Sequence, residues 1–295
     1  GRNFNNKLWN ALKLVKMWEA RKASGEQQQG NRFAIDWFRQ RLDEAKTEVN
    51  GLMKQFRLSE ALKTIYSLIW DDFCSWYLEW VKPGFEQPIN EDDYNSSTGF
   101  FTELVQLLHP FMPFVTEEIY HLLEERNDDL CVKQNTAPGK TNQQILQKGN
   151  LLKELITGLR DVRNKQQLKP KECVELFIDT SDREMYLGME TLLAKQVNAS
   201  AVNFTGEAIT GTISCVIGKD KCYLKTAQPL NTGQQKADLQ KELDHLKGFL
   251  ISVEKKLGNE KFVQNAKPEV LALEQKKKAD AETKIRVIEE SLAAL

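Results

Sequence analysis

The side chains that most often carry catalysis or bind metal ions are few in this sequence and far apart. Histidine occurs at only three positions, His109, His121 and His245, and no two of them have the spacing of metal ligands. The five cysteines are scattered and include no Cys-x-x-Cys pair. Asp71 and Asp72 are adjacent, so on a helix their carboxylates would point about 100° apart. The sequence therefore predicts no catalytic residue, no metal site and no disulfide framework.

Three basic segments offer a different chemistry, because lysine and arginine neutralise phosphates and aromatic rings stack on unpaired bases. The first segment combines Arg2, Lys7, Lys13 and Arg32 with Trp18. The second contains Arg160 and Arg163, and the third contains Lys255, Lys256, Lys261 and Lys267. These patterns predict nucleic-acid contacts. The alternative for the charges is a solvated helix face, and for the tryptophan it is a place in the core.

The charges are separated along the chain although the net charge is only -1. Residues 1–65 carry 13 basic and 7 acidic side chains, whereas residues 66–131 carry 2 and 14. This separation predicts a surface that faces a polyanion, or else two helical faces of opposite charge that pair. No apolar run is long enough to span a membrane, and the start lacks a signal peptide. We expect a cytoplasmic protein, here cut from within a longer one.

Hydrophobic periodicity predicts an antiparallel helix bundle over residues 1–130. Helices are predicted over 1–18, 33–53 and 59–81, then over 100–108 and 113–125 on either side of His109-Pro110. Residues 86–97 are predicted to be a polar, acidic connection. A wide apolar stripe on the third helix marks it as central and buried, and this stripe consists of Leu62, Ile65, Tyr66, Ile69, Phe73, Tyr77 and Trp80.

Residues 131–232 are predicted to form a linker, a helix over 151–167 and a small α+β connector. A capping box at Ser181 predicts a helix that continues to about Val197. Alternating residues predict strands over 173–178, 201–205, 213–217 and 222–225, the last two joined as a hairpin by residues 218–221. In that hairpin Cys215 is expected to lie opposite Leu224 rather than Cys222, which argues against a disulfide.

Residues 233–295 show a heptad seam in two halves, which predicts an antiparallel coiled-coil hairpin. The first half is Leu239, Leu243, Leu246, Leu250, Val253 and Leu257, and the second is Leu271, Glu274, Lys278, Ala281, Ile285, Ile288, Leu292 and Leu295. The predicted fold class is therefore mainly α, with an antiparallel helix bundle, a small α+β connector module and a C-terminal antiparallel coiled-coil hairpin.

Several motifs resemble one enzyme family. The segments GRNFNNKLWNA at the start, IWDDFCSWYLE from Ile69 and LHPFMPFVTEE from Leu108 resemble the anticodon-binding helical domain of class I aminoacyl-tRNA synthetases for valine, isoleucine and leucine. The segment LRDVR from Leu159, followed by Lys169-Pro170, is similar to another segment that these enzymes share. The terminal hairpin, with KLGN from Lys256 and AKPEV from Ala266, is similar to the C-terminal coiled-coil arm of bacterial valyl-tRNA synthetases.

The resemblance implies a tRNA-binding, non-catalytic fragment of an ATP-dependent valine–tRNA ligase. The bundle would contact the anticodon stem-loop of valine tRNA, through Arg2, Asn6, Lys7, Lys13, Trp18 and Arg32, with Arg160 and Arg163 in the connector. The arm would contact the outer corner of the tRNA through Lys255, Lys256, Lys261 and Lys267.

The family signatures His-x-Gly-His and Lys-Met-Ser-Lys-Ser are absent. We therefore expect no cofactor here, with ATP and magnesium used by the full-length enzyme, whose catalytic and editing domains are partners in the same polypeptide. We expect a monomer with no membrane partner. Two alternatives stay open: a helical protein-interaction module that uses the coiled coil, and the equivalent region of an isoleucyl or leucyl enzyme.

Overall fold

The computed structural model describes residues 1–226, 232–259 and 268–293. The chain divides into two compact units, Gly1–Asn150 and Leu151–Leu295. Within the described residues, no helix is both long enough and apolar enough to cross a membrane.

The first unit is a helix bundle. Its helices are α1 (Arg2–Glu19), α2 (Gln29–Lys54), α3 (Leu58–Ser67), a π-helical segment (Leu68–Tyr77), α4 (Leu78–Val81), α5 (Glu91–Leu108) and α6 (Pro113–Leu123). A short parallel pair of strands, β1 (Lys22–Ala23) and β2 (Ile89–Asn90), joins the loop after α1 to the loop before α5. A 3-10 turn at Leu130–Val132 follows α6, and α7 covers Gln143–Lys165. The predicted helices are confirmed, although α7 begins eight residues before its predicted start.

An aromatic cluster forms the core of this unit. The side chains of Phe38, Phe73, Tyr77 and Phe100 are fully or almost fully buried, and the rings of Phe38 and Phe100 lie 4.9 Å apart. Phe38 also contacts Tyr77, at 5.0 Å between ring centres. Each aromatic pair adds about 1 kcal/mol to the free energy of burial, so this cluster holds α2, the π-helical segment and α5 together.

Two expectations about this unit were wrong. Residues 91–97 are not part of a polar connection but the first two turns of α5, because the Asn90 side chain accepts a hydrogen bond from the Asp92 amide and caps the helix. The stripe predicted for the third helix is only partly buried. Ile65, Ile69, Phe73, Tyr77 and Trp80 lie in the core, but Leu62 and Tyr66 are 37% and 41% exposed at its edge.

The second unit contains a four-stranded sheet in the order β4-β3-β6-β5. Its strands are β3 (Val174–Asp179), β4 (Ala199–Thr205), β5 (Ile213–Ile217) and β6 (Asp220–Lys225). β3 pairs in parallel with β4 and antiparallel with β6, and helix α8 (Glu190–Val197) lies in the crossover between β3 and β4. The four predicted strands and the small α+β module are confirmed.

The hairpin register differs from the prediction. The connection contains two residues instead of four, because Gly218 adopts φ +61° and allows a tight turn closed by Ile217 and Asp220. Cys215 therefore lies opposite Cys222 and not opposite Leu224, which pairs with Ile213. The buried Asp220 carboxylate accepts a 2.6 Å hydrogen bond from Tyr186. Both cysteines are free thiols in the structure. The predicted register was an argument against a disulfide between them, and the observed register removes that argument.

The capping box predicted at Ser181 does not form. Residues Arg183–Tyr186 make one 3-10 turn, and α8 begins only at Glu190, after Gly188 at φ +90°. Thr180 accepts a hydrogen bond from the Asp182 amide, and no side chain caps either the 3-10 turn or α8. Left-handed glycine ends the turn, which explains why the helix starts later than predicted.

The coiled-coil hairpin is formed by α9 (Thr232–Leu257) and α10 (Pro268–Ala293), which pack along each other. Leu243, Val253, Ala281 and Ile288 are at most 8% exposed, so both halves of the predicted seam face the hairpin interior. Cross-helix ion pairs join Lys247 to Glu289 and Lys278 to Glu254, as expected for antiparallel helices. The predicted seam residue Leu295 lies outside the described residues.

Candidate nucleic-acid interface

Helix α1 presents a polar, basic stripe to solvent. Arg2, Asn6 and Lys13 are separated by four and seven residues, which places them within about 40° on one helix face. All three side chains are exposed. Lys13 makes no ion pair with any residue that the structure describes. The buried face of α1, with Leu8, Leu12 and Val15, fixes the helix against the bundle and so fixes the direction of this stripe.

A stack of aromatic rings packs on the other side of α1, where Phe4 lies about 160–180° round the helix from this stripe. Phe4, Tyr66 and Trp70 lie nearly parallel, with Phe4 4.8 Å from Tyr66 and Tyr66 5.7 Å from Trp70 between ring centres. The Lys7 ammonium lies 4.0 Å from the centre of the Trp70 ring. Tyr66 is 41% exposed, so one aromatic edge of the stack reaches solvent. The stripe and the stack thus lie on different sides of α1, and Lys7 lies between them on the helix.

The π-helical segment sets the position of Trp70. In this segment the helix is wider than an α-helix, and the Ser75 hydroxyl donates a 2.8 Å hydrogen bond to the Trp70 carbonyl five residues earlier. Lys7 in turn donates a 2.8 Å hydrogen bond to the Ser75 oxygen. Lys7 is therefore fixed by a hydrogen bond and a cation–π contact. Burial raises the pKa of the neighbouring Cys74 thiol to about 12, although the charge of Lys7 acts in the opposite direction. Cys74 is therefore a neutral thiol at physiological pH.

The structure does not bring all six predicted bundle residues together. Trp18 is 1% exposed, so its ring is part of the core and cannot stack on a base in this structure. Arg32 is exposed but lies in the first turns of α2, near the C-terminal end of α1. Its guanidinium donates a 3.3 Å hydrogen bond to Gln27. We call the exposed stripe of Arg2, Asn6 and Lys13, with Lys7 about 100–140° round the helix on its flank, the α1 surface. Arg32 lies on α2, outside this surface.

The two connector arginines already have hydrogen-bond partners within the protein. Arg163 is only 6% exposed and donates hydrogen bonds to the carbonyls of Lys169 and Glu172, so its place is structural. The prediction that it contacts nucleic acid does not fit this burial. Arg160 is exposed, but it donates to the backbone and side chain of Gln196 at the end of α8.

On the arm, Lys255 and Lys256 lie exposed in the last turn of α9. Lys256 lies 3.9 Å from Glu274 and remains 57% exposed, so this contact leaves the ammonium accessible to solvent. Lys261 and Lys267 lie outside the described residues. The pKa of Glu274 is lowered by a hydrogen bond from Lys277, which keeps this seam carboxylate ionised.

Comparisons with known families match most of the chain. Residues 36–178 match the anticodon-binding domain of tRNA ligases, and residues 233–295 match the tRNA-binding arm of valyl-tRNA synthetase. The chain belongs to the valyl-tRNA synthetase family.

Whole-chain relatives agree with this assignment. The valine–tRNA ligase of Parabacteroides distasonis is 41% identical over the entire chain, and that of Christiangramia forsetii is 34% identical. The Bacillus subtilis valine–tRNA ligase is 30% identical over 99% of the chain. The chain spans about a third of the length of these relatives, since the shared region is 34 to 35% of each.

The sequence did not reveal the residues that pack around Lys7 at the flank of the α1 surface. Tyr66 was predicted to be core, and neither Trp70 nor Ser75 was predicted to lie at the site. The available signal was the four-residue spacing of Tyr66 and Trp70, which places two aromatic rings together on a helix surface. The wider π-helical turn, which brings Ser75 to Lys7, has no equivalent signal in the hydrophobic pattern.

Proposed function

We propose that this chain binds valine tRNA through two separate surfaces, one on the helix bundle and one on the arm. The α1 surface would contact the anticodon stem-loop, and the end of α9 would contact the outer corner of the tRNA. The observation that carries the proposal is the Lys7–Trp70–Tyr66 arrangement at the side of α1, a helix that also presents the exposed Arg2 and Lys13 on another face. Cations next to an accessible aromatic edge suit a phosphate backbone with unpaired bases.

In full-length relatives this binding of tRNA would support the ATP- and magnesium-dependent joining of valine to tRNA. Those steps would belong to parts of the longer enzymes that this sequence does not include, since the relatives are about three times as long. We find no catalytic constellation in the described part of the chain, and the fragment is proposed to act by binding alone. We further propose three structural domains, 1–130, 131–232 and 233–295, a monomeric state and a cytoplasmic location.

The experiment is an equilibrium titration of the chain with a fluorescent valine tRNA transcript at several salt concentrations. Arg2→Ala combined with Lys13→Ala should raise the Kd about tenfold. It should also reduce the slope of log Kd against log salt by about 2, one for each phosphate contact removed. On the arm, Lys255→Glu with Lys256→Glu should weaken binding by a similar factor.

The matched control is Lys236→Glu with Lys241→Glu. These two lysines are also exposed on α9, but they lie toward the opposite end of that helix. The control makes the same charge change and should alter the Kd by less than about twofold. If the control variant lost as much affinity as Lys255→Glu with Lys256→Glu, the overall charge of the arm and not the position of the lysines would determine binding. If the Kd of the unmodified chain for tRNA did not change with salt concentration, the proposal would be overturned.

The two alternatives receive less support from the structure. A protein-interaction module that self-associates through its heptad seam needs that seam exposed, but Val253 and Ala281 are 2% and 3% exposed within the hairpin. The isoleucyl and leucyl alternatives do not fit relatives that are named valine–tRNA ligases. Sedimentation equilibrium should show a monomer, and a dimer that Leu243→Lys dissociates would revive the interaction module.

A further inference from the structure

The corner between α5 and α6 brings together side chains that are scattered in the sequence. The helix breaks after His109, and Pro113 starts α6, so His109 lies beside the first turns of α6. Glu117 and His121 are one helical turn apart on α6. After α6 the chain folds back, so that Asp129, the residue before the 3-10 turn, lies close to His121. A cavity of about 520 Å³ lies here, and its walls include both histidines, Glu117 and Cys131.

The distances between these side chains match those between ligands of one metal ion. His121 Nε2 lies 3.3 Å from Glu117 Oε1 and 3.7 Å from Asp129 Oδ1. One ligand atom from each of the three residues falls within 4.8 Å of the others. His109 Nε2 lies 3.9 Å from the other Glu117 oxygen, Oε2, so it flanks this group of three. Two atoms that bind the same zinc ion at about 2.0–2.1 Å with tetrahedral geometry are about 3.3 Å apart.

A second set of hydrogen bonds orients two of these groups. The buried Thr116 hydroxyl donates to the Met112 carbonyl at 2.8 Å, so it accepts from His109 Nδ1, also at 2.8 Å. The proton on Nδ1 leaves a lone pair on His109 Nε2, the atom that faces Glu117. Glu117 Oε1 also accepts a 2.7 Å hydrogen bond from the Leu130 amide. Protein metal ligands are commonly oriented by such outer hydrogen bonds.

The charge around the cluster favours a cation. Residues 117–129 carry six acidic side chains and one arginine, and that arginine pairs with Glu124. Among the described residues, no lysine or arginine forms an ion pair with Glu117 or Asp129. A histidine nitrogen with two carboxylates suits zinc and similar transition metals, whereas magnesium and calcium prefer oxygen alone.

We propose that Glu117, His121 and Asp129 form a binding site for one divalent transition-metal ion, with zinc the best match. The ion ties helix α6 to the segment that follows it, and His109 flanks the site beside Glu117. Asp129 is 71% exposed and His121 38% exposed, so the site opens to solvent and exchanges its ion readily. Cys131 lines the wall of the same cavity.

The test is a zinc titration of the chelator-treated chain, competed against a chromogenic zinc indicator, with magnesium as the second probe. The unmodified chain should bind one zinc ion with a micromolar or tighter Kd and should show no measurable binding of magnesium. His121→Ala and Glu117→Gln should each weaken zinc binding at least tenfold. Glu117→Gln keeps an oxygen for the Leu130 amide, so it removes the charge while preserving the fold.

The third histidine of the chain supplies a matched control. His245→Ala removes an exposed imidazole from the coiled-coil hairpin and should leave the zinc Kd unchanged. Circular dichroism should show that each variant is folded, and zinc should raise the Tm of the unmodified chain but not of Glu117→Gln. The proposal is overturned if no saturable binding occurs below about 1 mM zinc. It is equally overturned if His121→Ala and His245→Ala bind zinc with the same Kd. Zinc would then be bound at another place, such as the cysteine thiols.

Discussion

At the scale of single residues, the packing determines which of the candidate side chains can bind a partner. Trp18 and Arg163 have residue types that suit RNA contacts, yet both are buried, Arg163 with backbone carbonyls as its partners. Arg2 and Lys13 belong to the same kind of basic segment and are exposed. Composition predicts basic segments, but only the helix register and the core neighbours separate an exposed candidate residue from a structural one.

Glu103 provides a residue-scale prediction about stability. It accepts a hydrogen bond from Arg39 at 2.6 Å and another from Lys46, which is only 4% exposed. Burial alone would raise the pKa of Glu103, but these hydrogen bonds outweigh it and hold the pKa below the ordinary value. Glu103→Gln leaves a buried ammonium without its anion and should lower the free energy of unfolding by about 2–4 kcal/mol at pH 7.

The sign of the pH dependence follows from the lowered pKa of Glu103. Its stabilisation is complete above the unfolded value of about 4.3 and is lost as the pH falls through the folded value. Urea unfolding at about pH 6 and about pH 3 should therefore show the difference between the unmodified chain and Glu103→Gln shrinking in acid. The exposed Glu125→Gln is the control and should change stability little at either pH. A difference that grows in acid would contradict this assignment.

At the scale of elements, periodicity predicted what depends on burial but not what depends on backbone geometry. The bundle helices and both halves of the coiled-coil seam follow from apolar spacing, because those residues pack against one face. The register of the β5–β6 hairpin does not follow from apolar spacing. Gly218, in the left-handed region, shortens the turn and so changes which residues of β5 and β6 pair. The π-helical turn and the late start of α8 also depend on local backbone conformation, which apolar spacing does not predict.

Two glycines in helices give opposite element-scale predictions. A Cβ added at Gly149 in α7 would lie 2.1 Å from Trp37, whose ring is fully buried and has no room to move. Gly149→Ala should lower the free energy of unfolding by about 1–3 kcal/mol through overpacking. Gly99 in α5 is exposed with open space around its Cα, so Gly99→Ala should raise stability by about 0.5–1 kcal/mol.

Chemical denaturation of the two glycine variants beside the unmodified chain measures this contrast directly. The comparison holds the chemical change constant, one hydrogen for one methyl group in a helix, so only the surroundings differ. If both substitutions stabilised the protein, the close approach of α7 to Trp37 would be wrong.

At the scale of the whole molecule, the chain has two units and two candidate tRNA surfaces, which we propose act on different parts of one ligand. The basic excess of residues 1–65 agrees with the α1 surface, while the acidic excess of residues 66–131 includes the proposed metal site at the α5–α6 corner. The sequence predicted the family, the mainly α fold and the arm. It could not show how the aromatic stack assembles, because Phe4 and Trp70 meet only through tertiary packing.

The central claim is that the bundle binds the anticodon stem-loop of valine tRNA. Its most direct test is an equilibrium titration of the chain with a valine tRNA transcript and with the same transcript carrying another anticodon, at one moderate salt concentration. We expect the valine anticodon to bind more tightly by a factor of about ten or more, the cost of losing one good base contact. Arg2→Ala with Lys7→Ala should abolish that preference. Equal affinity for the two transcripts, with and without these substitutions, would contradict anticodon recognition by the α1 surface.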